Sequence, residues 1–287
     1  MNIKLPLILI FIISRSYFVN AQESASDKNS YSIFNPVPAN LMRELNADRP
    51  DKTDCPFTVD AGHFQAEMDF ANLTYNHPNS KRGNVSSYYE QLAPVNLKVG
   101  ILNNLDFQLV FTTYQWEKNV NQDNGTTDFK AGFQGITPRL KLNIIGNDGG
   151  FFALALIPFV SIPTGRQHFE SNSVEGGLGI PYSLDIPEWD VGFQTTFQFN
   201  RNNAGSNYHT EFNNSISVGH SLIGKVSLSA EFFTGISTEE GSGWVGTTDT
   251  WFTYQADENF RIDSGVYIGV TKAADDWHPW IGATLRY

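Results

Sequence analysis

The sequence predicts an all-β fold: an antiparallel, up-and-down transmembrane β-barrel of about 12 strands that follows a short N-terminal periplasmic segment. Apolar and polar residues alternate through most of the chain from residue 62 onward, which is the period-two pattern of strands with one apolar face. The connections between these stretches alternate between long polar loops and tight turns. No stretch of about 18 consecutive apolar residues is present, so no transmembrane helix is expected.

The first 21 residues are expected to be a signal peptide for secretion. Lys4 precedes an apolar run at 5–13, and Val19 and Ala21 are suited to cleavage after residue 21. The apolar run is too short to span a bilayer. The single cysteine, Cys55, excludes an intramolecular disulfide and is read as a small residue in a turn.

Residues 22–60, which we call the leader, are polar and contain four prolines, at positions 36, 38, 50 and 56. We expect the leader to be a periplasmic N-terminal segment or plug that reaches into the barrel mouth. Intrinsic disorder is the alternative, because a polar segment buries little apolar surface. The outer-membrane β-barrel itself is assigned to residues 61–287.

Twelve strands are predicted, and their apolar rows are rich in Phe, Leu, Val and Ile. The fourth is expected to contain a bulge, because its apolar phase shifts midway and it includes Pro138. The sixth has the weakest pattern. The predicted strands are 62–75, 86–101, 105–118, 128–145, 150–163, 174–184, 189–200, 207–221, 225–236, 244–256 and a final hairpin within 260–287.

The connections sort into two kinds, which gives the barrel a predicted orientation. Tight turns, several of them rich in Asn, Asp and Gly, alternate with longer polar loops. Outer-membrane barrels have short periplasmic turns and long external loops. An even strand number then places both termini on the periplasmic side. The long loops are predicted at 76–86, 119–127, 164–173, 201–206, 237–243 and 272–276.

The polar rows favour an outer-membrane barrel over a secreted β-sandwich, the alternative fold. They carry mostly Gly, Ser, Thr, Gln and Asn with isolated charges, whereas a water-facing sheet would normally carry many Lys and Glu. Contact with the lipid bilayer is therefore expected. The net charge of −11, from 19 basic and 30 acidic residues, disfavours a nucleic-acid partner.

The last strand ends on an aromatic residue, Tyr287, after the apolar row of Ile281, Ala283 and Leu285. A terminal strand that ends in Tyr or Phe resembles the signal that outer-membrane barrels present to their assembly machinery. Tyr287 is therefore a candidate assembly signal, and the assembly machinery is an expected partner.

The residues at the entry to the first strand resemble the opening signature of a known family. They read DRPDKTDCPFTV at 48–59 and AGHFQAE at 61–67, and further matches are IPTG at 162–165, IDSGV at 262–266 and GVT at 269–271. The family comprises outer-membrane transporter-like barrels labelled after the meta-pathway of phenol degradation. The resemblance covers about residues 48–287 and implies passive transport without naming the solute. Cys55 stands where the family pattern has Ser.

Charged residues of the DRPD run and of the polar rows are candidates for the lumen or a gate. Arg49 lies among Asp48, Asp51 and Asp54. This segment either forms a gate held by ion pairs or only seals the barrel and positions the first strand. Because the first and last strands must pair, Arg286 and Glu67 are predicted to form an ion pair at the seam, with two separately hydrated charges as the alternative. The lumen or gate candidates are Arg49, Asp51, Glu67, Asp69, Glu231, Arg261, Asp263 and Arg286.

These patterns favour an outer-membrane channel for passive passage of small solutes, hydrophobic or aromatic ones included. The alternatives are a structural or adhesive barrel and a membrane-embedded hydrolase. Residues 209–215 and 275–278 bring His near Ser or acidic residues, but neither matches a nucleophile motif, so no catalytic residue is assigned and no enzyme is expected. No metal site or cofactor is expected from the His spacing. Strand parity places five aromatic residues in the lumen: Tyr114, Trp116, Phe233, Trp251 and Tyr267.

Overall fold

The computed structural model describes residues 28–133, 135–165, 173–202 and 207–287, and within these ranges 13 strands form one antiparallel sheet. The predicted signal peptide lies outside the described residues, as does the start of the leader.

Strands account for nearly all regular structure in the described part of the chain. Three short 3₁₀ helices cover Lys28–Ser30, Ala39–Leu41 and Ser80–Arg82. Within the described ranges, no helix is long and apolar enough to cross a membrane. The strands are β1 Phe64–Asn76, β2 Val85–Leu102, β3 Leu105–Asn121, β4 Thr127–Gly132, β5 Ile136–Ile145, β6 Phe152–Ser161, β7 Glu175–Ile186, β8 Trp189–Arg201, β9 Tyr208–Ile223, β10 Val226–Ser237, β11 Val245–Asp257, β12 Phe260–Gly269 and β13 Trp277–Arg286.

The sheet closes into a barrel because β1 pairs antiparallel with β13. Twelve strands make up the wall, and the short strand β4 is additional to it. The predicted fold class, an all-β antiparallel barrel of about 12 strands, is confirmed. Closure leaves the wall without an unpaired edge, which is what allows a sheet to lie in lipid.

The predicted fourth strand, 128–145, is interrupted instead of bulged. β4 pairs with the last part of β3, and β5 pairs with the first part of the same strand. β6 ends level with the start of β5, where Ile136 bridges to Ile162. In the described residues β4 therefore pairs with β3 alone, and the β3–β4 hairpin extends beyond the wall.

Short turns lie at one end of the barrel, which we call the turn end, and the longer connections lie at the opposite loop end. Two residues separate β2 from β3, β7 from β8, β9 from β10 and β11 from β12. β1 starts and β13 ends at the turn end. The leader therefore meets the barrel at the turn end.

The wall separates an apolar outer face from a mostly polar inner face. On the outer face, Phe64, Phe70 and Phe252 are 55%, 50% and 56% exposed. On the inner face, Gln65 and Lys98 are each 3% exposed. This arrangement suits lipid contact outside, because hydrocarbon can neither hydrogen-bond nor solvate polar groups.

The inner face of β3 changes phase, so the prediction that Tyr114 and Trp116 face the lumen is wrong. Gln91 Nε2 lies 3.5 Å from Thr112 Oγ1 and 3.4 Å from Gln115 Oε1, so both residues face inward although they are three apart. Tyr114 next to Gln115 therefore faces outward, and it is 44% exposed. Trp116, two residues further along the strand, faces outward as well. A local shift of this kind cannot be read from strict alternation.

The barrel seam places Arg286 and Glu67 diagonally and not directly opposite each other. Arg286 lies opposite Gln65, and Glu67 lies opposite Thr284. The carboxylate of Glu67 pairs with Lys98, whereas Arg286 Nη1 lies 3.7 Å from Asp60 of the leader. The predicted Arg286–Glu67 pair is therefore wrong, because nearer partners neutralise both charges.

Cysteines at the outward-facing positions Met68 and Ala283 should form a disulfide that closes the seam. The two residues are directly opposed in β1 and β13. Opposed antiparallel residues have Cα atoms about 4.5–5.5 Å apart, within the range that disulfides accept. In a Cys55→Ser background, the Met68→Cys/Ala283→Cys protein should oxidise and change its electrophoretic mobility until reduced.

The matched control pairs Met68→Cys with Ile262→Cys on β12. Ile262 is the other neighbour of Ala283, so it lies two strands away from Met68 and should not cross-link. Efficient cross-linking of the control, or none of the seam pair, would contradict this register.

Candidate functional site

The leader is fastened at the turn end by a cluster of ionic groups. Arg43 Nη1 donates hydrogen bonds to Asn103 Oδ1 and Asp148 Oδ1, each at 2.9 Å. Arg43 Nη2 also lies 3.3 Å from Asp60. Lys28 Nζ lies 3.1 Å from the same Asp148 carboxylate. These contacts join the leader to the turns that follow β2 and β5.

From this anchor the leader runs across the inside of the barrel. Polar groups of residues 43–59 contact inward-facing side chains on strands from most of the wall, so the segment spans the lumen and does not follow one side of it. The wall residues that contact it are Glu67 and Asp69 of β1, Lys98 of β2, Asp106 of β3, Arg139, Lys141 and Asn143 of β5, Gln194 of β8, Ser215 of β9, Glu231 of β10, Thr247 of β11, Asp263 and Tyr267 of β12 and Arg286 of β13.

Asp48 is the centre of a buried charge cluster between the leader and strands β2 and β5. Its carboxylate pairs with Lys98 Nζ at 2.6 Å and with Lys141 Nζ. Arg139 Nη2 lies 3.9 Å away and also pairs with Asp54 at 2.6 Å. Together with Glu67, which pairs with Lys98, the cluster contains three cations and three carboxylates.

The ionised state of Asp48 is strongly favoured by this surrounding. Burial alone would raise the pKa of Asp48, but the Lys141 and Lys98 ammonium groups outweigh it and hold the pKa below its usual range. Asp48 is only 7% exposed. Removing one member of such a buried set leaves an uncompensated charge, which costs about 3–5 kcal/mol.

Arg49 links the leader to the two strands on either side of the seam strand β13. Nη1 pairs with Asp69 of β1 and Nη2 pairs with Asp263 of β12, each at 2.5 Å. The guanidinium also lies 5.6 Å from the ring centroid of Trp280, a distance at which cation–π attraction operates. Arg261 in turn donates to the carbonyl oxygen of Arg49.

Two glycines allow the leader to approach the wall this closely. A Cβ at position 282 would overlap the Arg49 guanidinium, and a Cβ at position 100 would overlap the carbonyl oxygen of Asp60. Strands β13 and β2 therefore contain glycine at these inward positions, because a larger side chain at 282 or 100 would displace the leader.

The next leader residues, Lys52 and Thr53, bind a carboxylate on β10, across the lumen from the Asp48 cluster. The backbone N–H of Lys52 donates to the Glu231 carboxylate at 3.1 and 3.2 Å, and Thr53 Oγ1 donates to Glu231 Oε2 at 2.5 Å. Thr53 Oγ1 also lies 2.6 Å from Ser215 Oγ. Burial and the neighbouring Glu231 charge raise the pKa of Asp51 well above its usual value.

A cavity of about 410 Å³ lies in the lumen, on the side of the leader that faces the loop end. Lys52 and Asp54 of the leader form part of its lining, so the leader is its floor. The walls combine amide and hydroxyl side chains with apolar and aromatic ones. The wall residues are Val110, Thr137, Arg139, Ile157, Phe159, Gly179, Gln194, Thr196, Gln198, Asn213, Asn214, Ser215 and Phe233.

The lumen and gate candidates from the sequence are brought together by the leader. Asp69 and Asp263 pair with Arg49, Glu67 and Glu231 accept from leader N–H groups, and Arg261 and Arg286 donate to leader carbonyl oxygens. Asp51 lies within the same segment.

Sequence reasoning missed Lys52, Arg139 and Lys141 as lumen residues. Lys141 is fully buried beneath the leader. Alternation of Arg139, Lys141 and Asn143 with Pro138, Leu140 and Leu142 was the available signal.

Of the predicted lumen aromatics, Trp251 is 5% exposed, Tyr267 donates to the carbonyl oxygen of Pro50, and Phe233 lines the cavity. Tyr287 pairs through its backbone with Phe64, and the residue is 91% exposed.

Asp48→Asn should lower the free energy of unfolding by about 3–5 kcal/mol near neutral pH, because Lys98, Lys141 and Arg139 then share too few carboxylates. Since the folded-state pKa of Asp48 is depressed, its contribution is fully present above the unfolded pKa of about 3.9 and declines as the pH falls below it. Urea unfolding in detergent micelles, followed by tryptophan fluorescence at several pH values, measures both effects.

Asp128→Asn is the matched control, because it makes the same change in an exposed pair with Lys130. Such pairs contribute about 0–1 kcal/mol. Equal destabilisation by the two substitutions would contradict the central role of Asp48.

Comparison with known proteins places this architecture among outer-membrane β-barrels. An outer membrane channel from Pseudomonas putida F1 superposes with a TM-score of 0.60 at 8% identity, covering 84% of this chain and 100% of that one. The transport unit of the autotransporter AIDA-I from Escherichia coli gives a TM-score of 0.53 at 12% identity, with coverage of 87% and 94%. The NanC porin gives 0.51 at 9% identity, with coverage of 76% and 98%.

Sequence comparison gives the family. Among proteins of curated function, none matches the sequence of this chain. The family described as "Putative MetA-pathway of phenol degradation" matches residues 47–287, which include the leader from the charge cluster onward and the whole barrel. The resemblance found at the DRPD run is thereby confirmed, and the chain belongs to this family of outer-membrane β-barrels.

Proposed function

We propose that this protein is an outer-membrane channel for the passive passage of small solutes that carry an apolar or aromatic part. The observation that supports this most is the cavity inside a closed barrel, where Phe159, Phe233 and Ile157 lie beside amide and hydroxyl groups. Its volume of about 410 Å³ falls within the range of about 300–1,000 Å³ that small-molecule sites have. The fold of the barrels it resembles is consistent with this role.

The proposed orientation places the turn end, and with it both termini, in the periplasm. Outer-membrane barrels have short periplasmic turns and longer external loops, and the connections of this barrel are sorted in the same way. In this orientation the cavity faces the cell exterior and the leader lies on its periplasmic side. We also propose that the exposed ring of Tyr287 is the signal recognised by the assembly machinery.

The leader is proposed to be a gate. It crosses the lumen of a twelve-stranded barrel, which is narrower than that of a sixteen-stranded porin. Many of its contacts in the lumen are ion pairs and hydrogen bonds, such as those of Arg49 and Thr53. A solute that leaves the cavity toward the periplasm therefore requires the leader to move. The alternative is a fixed plug that only positions the wall.

A hydrolytic function is not favoured by the arrangement of the candidate groups. The hydroxyl of Ser215 is engaged by Thr53, and the carboxylate of Asp276 accepts from His77. Nucleophilic catalysis needs a nucleophile within reach of a base that is itself oriented by a third group. We therefore propose that the protein is not an enzyme. A structural or adhesive barrel would need no cavity of this composition, so we propose a channel in preference to that role.

Proteoliposomes should swell faster in phenylalanine than in arabinose, which has no apolar part, and should not swell in a tetrasaccharide. Phenylalanine is suitable because it carries an aromatic ring and, as a zwitterion, crosses the lipid bilayer itself only slowly. Liposomes without protein provide the baseline. Impermeability to the whole solute panel would sink the channel proposal.

A disulfide between Thr53→Cys and Ser215→Cys should lock the leader to β9 and reduce the swelling rate at least about fivefold. The two native oxygen atoms are 2.6 Å apart, so the pair is well placed to cross-link in a Cys55→Ser background. Reduction should restore the rate, because the tether is the only change.

The seam disulfide between Met68→Cys and Ala283→Cys is the matched control. It joins two wall strands without touching the leader, so oxidation should leave the swelling rate unchanged. Equal rates for the oxidised and reduced leader tether would identify the leader as a fixed plug.

A further inference from the structure

The ammonium group of Lys52 has unused hydrogen-bonding capacity at the cavity. Its Nζ donates to Thr247 Oγ1 at 2.9 Å and lies 4.5 Å and 4.8 Å from the ring centroids of Phe233 and Tyr267. A lysine ammonium carries three N–H donors. Within the described ranges Nζ has this one hydrogen-bond acceptor and no carboxylate at ion-pair distance, so its two other N–H groups contact only the two rings and have no oxygen or nitrogen acceptor.

The electrostatic surroundings of Lys52 are asymmetric. The carboxylates of Asp249, Glu231 and Asp275 attract it from a distance, and none of the three lines the cavity. The cavity lining contains two cations, Lys52 and Arg139, and one carboxylate, Asp54, which gives a local charge of +1. The whole chain has a net charge of −11. The charged groups that a solute in the cavity can touch therefore sum to +1, which suits a monoanion.

The other residues that line the cavity favour an anion with an apolar or aromatic part. Phe233 lies beneath the Lys52 ammonium, and Phe159, Ile157 and Val110 contribute further apolar surface. Aromatic rings prefer offset or edge-to-face contact with one another, which a small ring in this space can make. Burial lowers the pKa of Lys52, against the pull of the nearby carboxylates. A desolvated ammonium gains more from an anion than an exposed one does.

We propose that the cavity is a binding site for the anion of a small aromatic acid. The carboxylate binds the free N–H groups of Lys52, and the ring packs against Phe233 and Phe159. This inference rests on the proposed channel function and deepens it, because it names the class of solute. Lys52 belongs to the leader, so the bound solute would touch the segment proposed as the gate.

Titration calorimetry in detergent with benzoate, benzamide and acetate tests the proposal. Benzamide lacks the charge and acetate lacks the ring, so benzoate should bind at least about tenfold more tightly than either, which corresponds to about 1.4 kcal/mol. Benzoate affinity equal to that of benzamide would overturn the role of the charge. Equal affinity for acetate would overturn the role of the ring, and no detectable binding of benzoate would overturn the site.

Lys52→Met should abolish the preference for benzoate over benzamide while the barrel remains folded, as shown by its electrophoretic mobility without heating. Lys225→Met is the matched control, because its ammonium binds the Ala256 carbonyl at the turn end and does not line the cavity. The control should keep the preference. Phe233→Leu should weaken benzoate several-fold and leave acetate unchanged. A preference that survives Lys52→Met would overturn the proposal.

The swelling assay separates this inference from the channel proposal. Swelling in uncharged arabinose without any preference for benzoate would refute the anion site and leave the channel intact. Tight, Lys52-dependent benzoate binding by a barrel that passes no solute would support the site and refute the channel.

Discussion

Closure of the sheet is the constraint on which the rest of the structure depends. In lipid, every backbone N–H and C=O of the wall must find a partner within the protein, so β1 has to meet β13. Closure turns one face of every strand inward and creates an interior that lipid cannot reach. The outer face becomes apolar, and the inner face accepts the polar and charged side chains that the outer face excludes.

A polar interior creates an electrostatic requirement that the leader meets. Lys98 and Lys141 are buried on the inner wall, and their charges need carboxylates within reach. Asp48 supplies one, and in the same segment Arg49 neutralises Asp69 and Asp263. The wall and the leader are therefore complementary in charge, and each leaves unpaired buried groups without the other.

The cavity follows from where the leader crosses. Because Lys52 and Asp54 line the cavity, its floor consists of the segment that crosses the lumen. A solute in this space would contact both the wall and the leader, which is held in part by polar contacts. Only an equilibrium between two arrangements of the leader would let the solute influence how the leader is held.

The sequence by itself determined the barrel: alternation set the two faces, turn residues set the short turns, and the DRPD run indicated the family. These are local signals, and each strand carries its own. Tertiary structure alone decided which charges meet. Arg286 and Glu67 have different partners because the seam register and the leader together determine their neighbours. Tyr114 turned outward because the phase of β3 shifts, and Lys52 became a cavity residue because the leader crosses the lumen. Such contacts depend on residues far apart in the chain, and no local period encodes them.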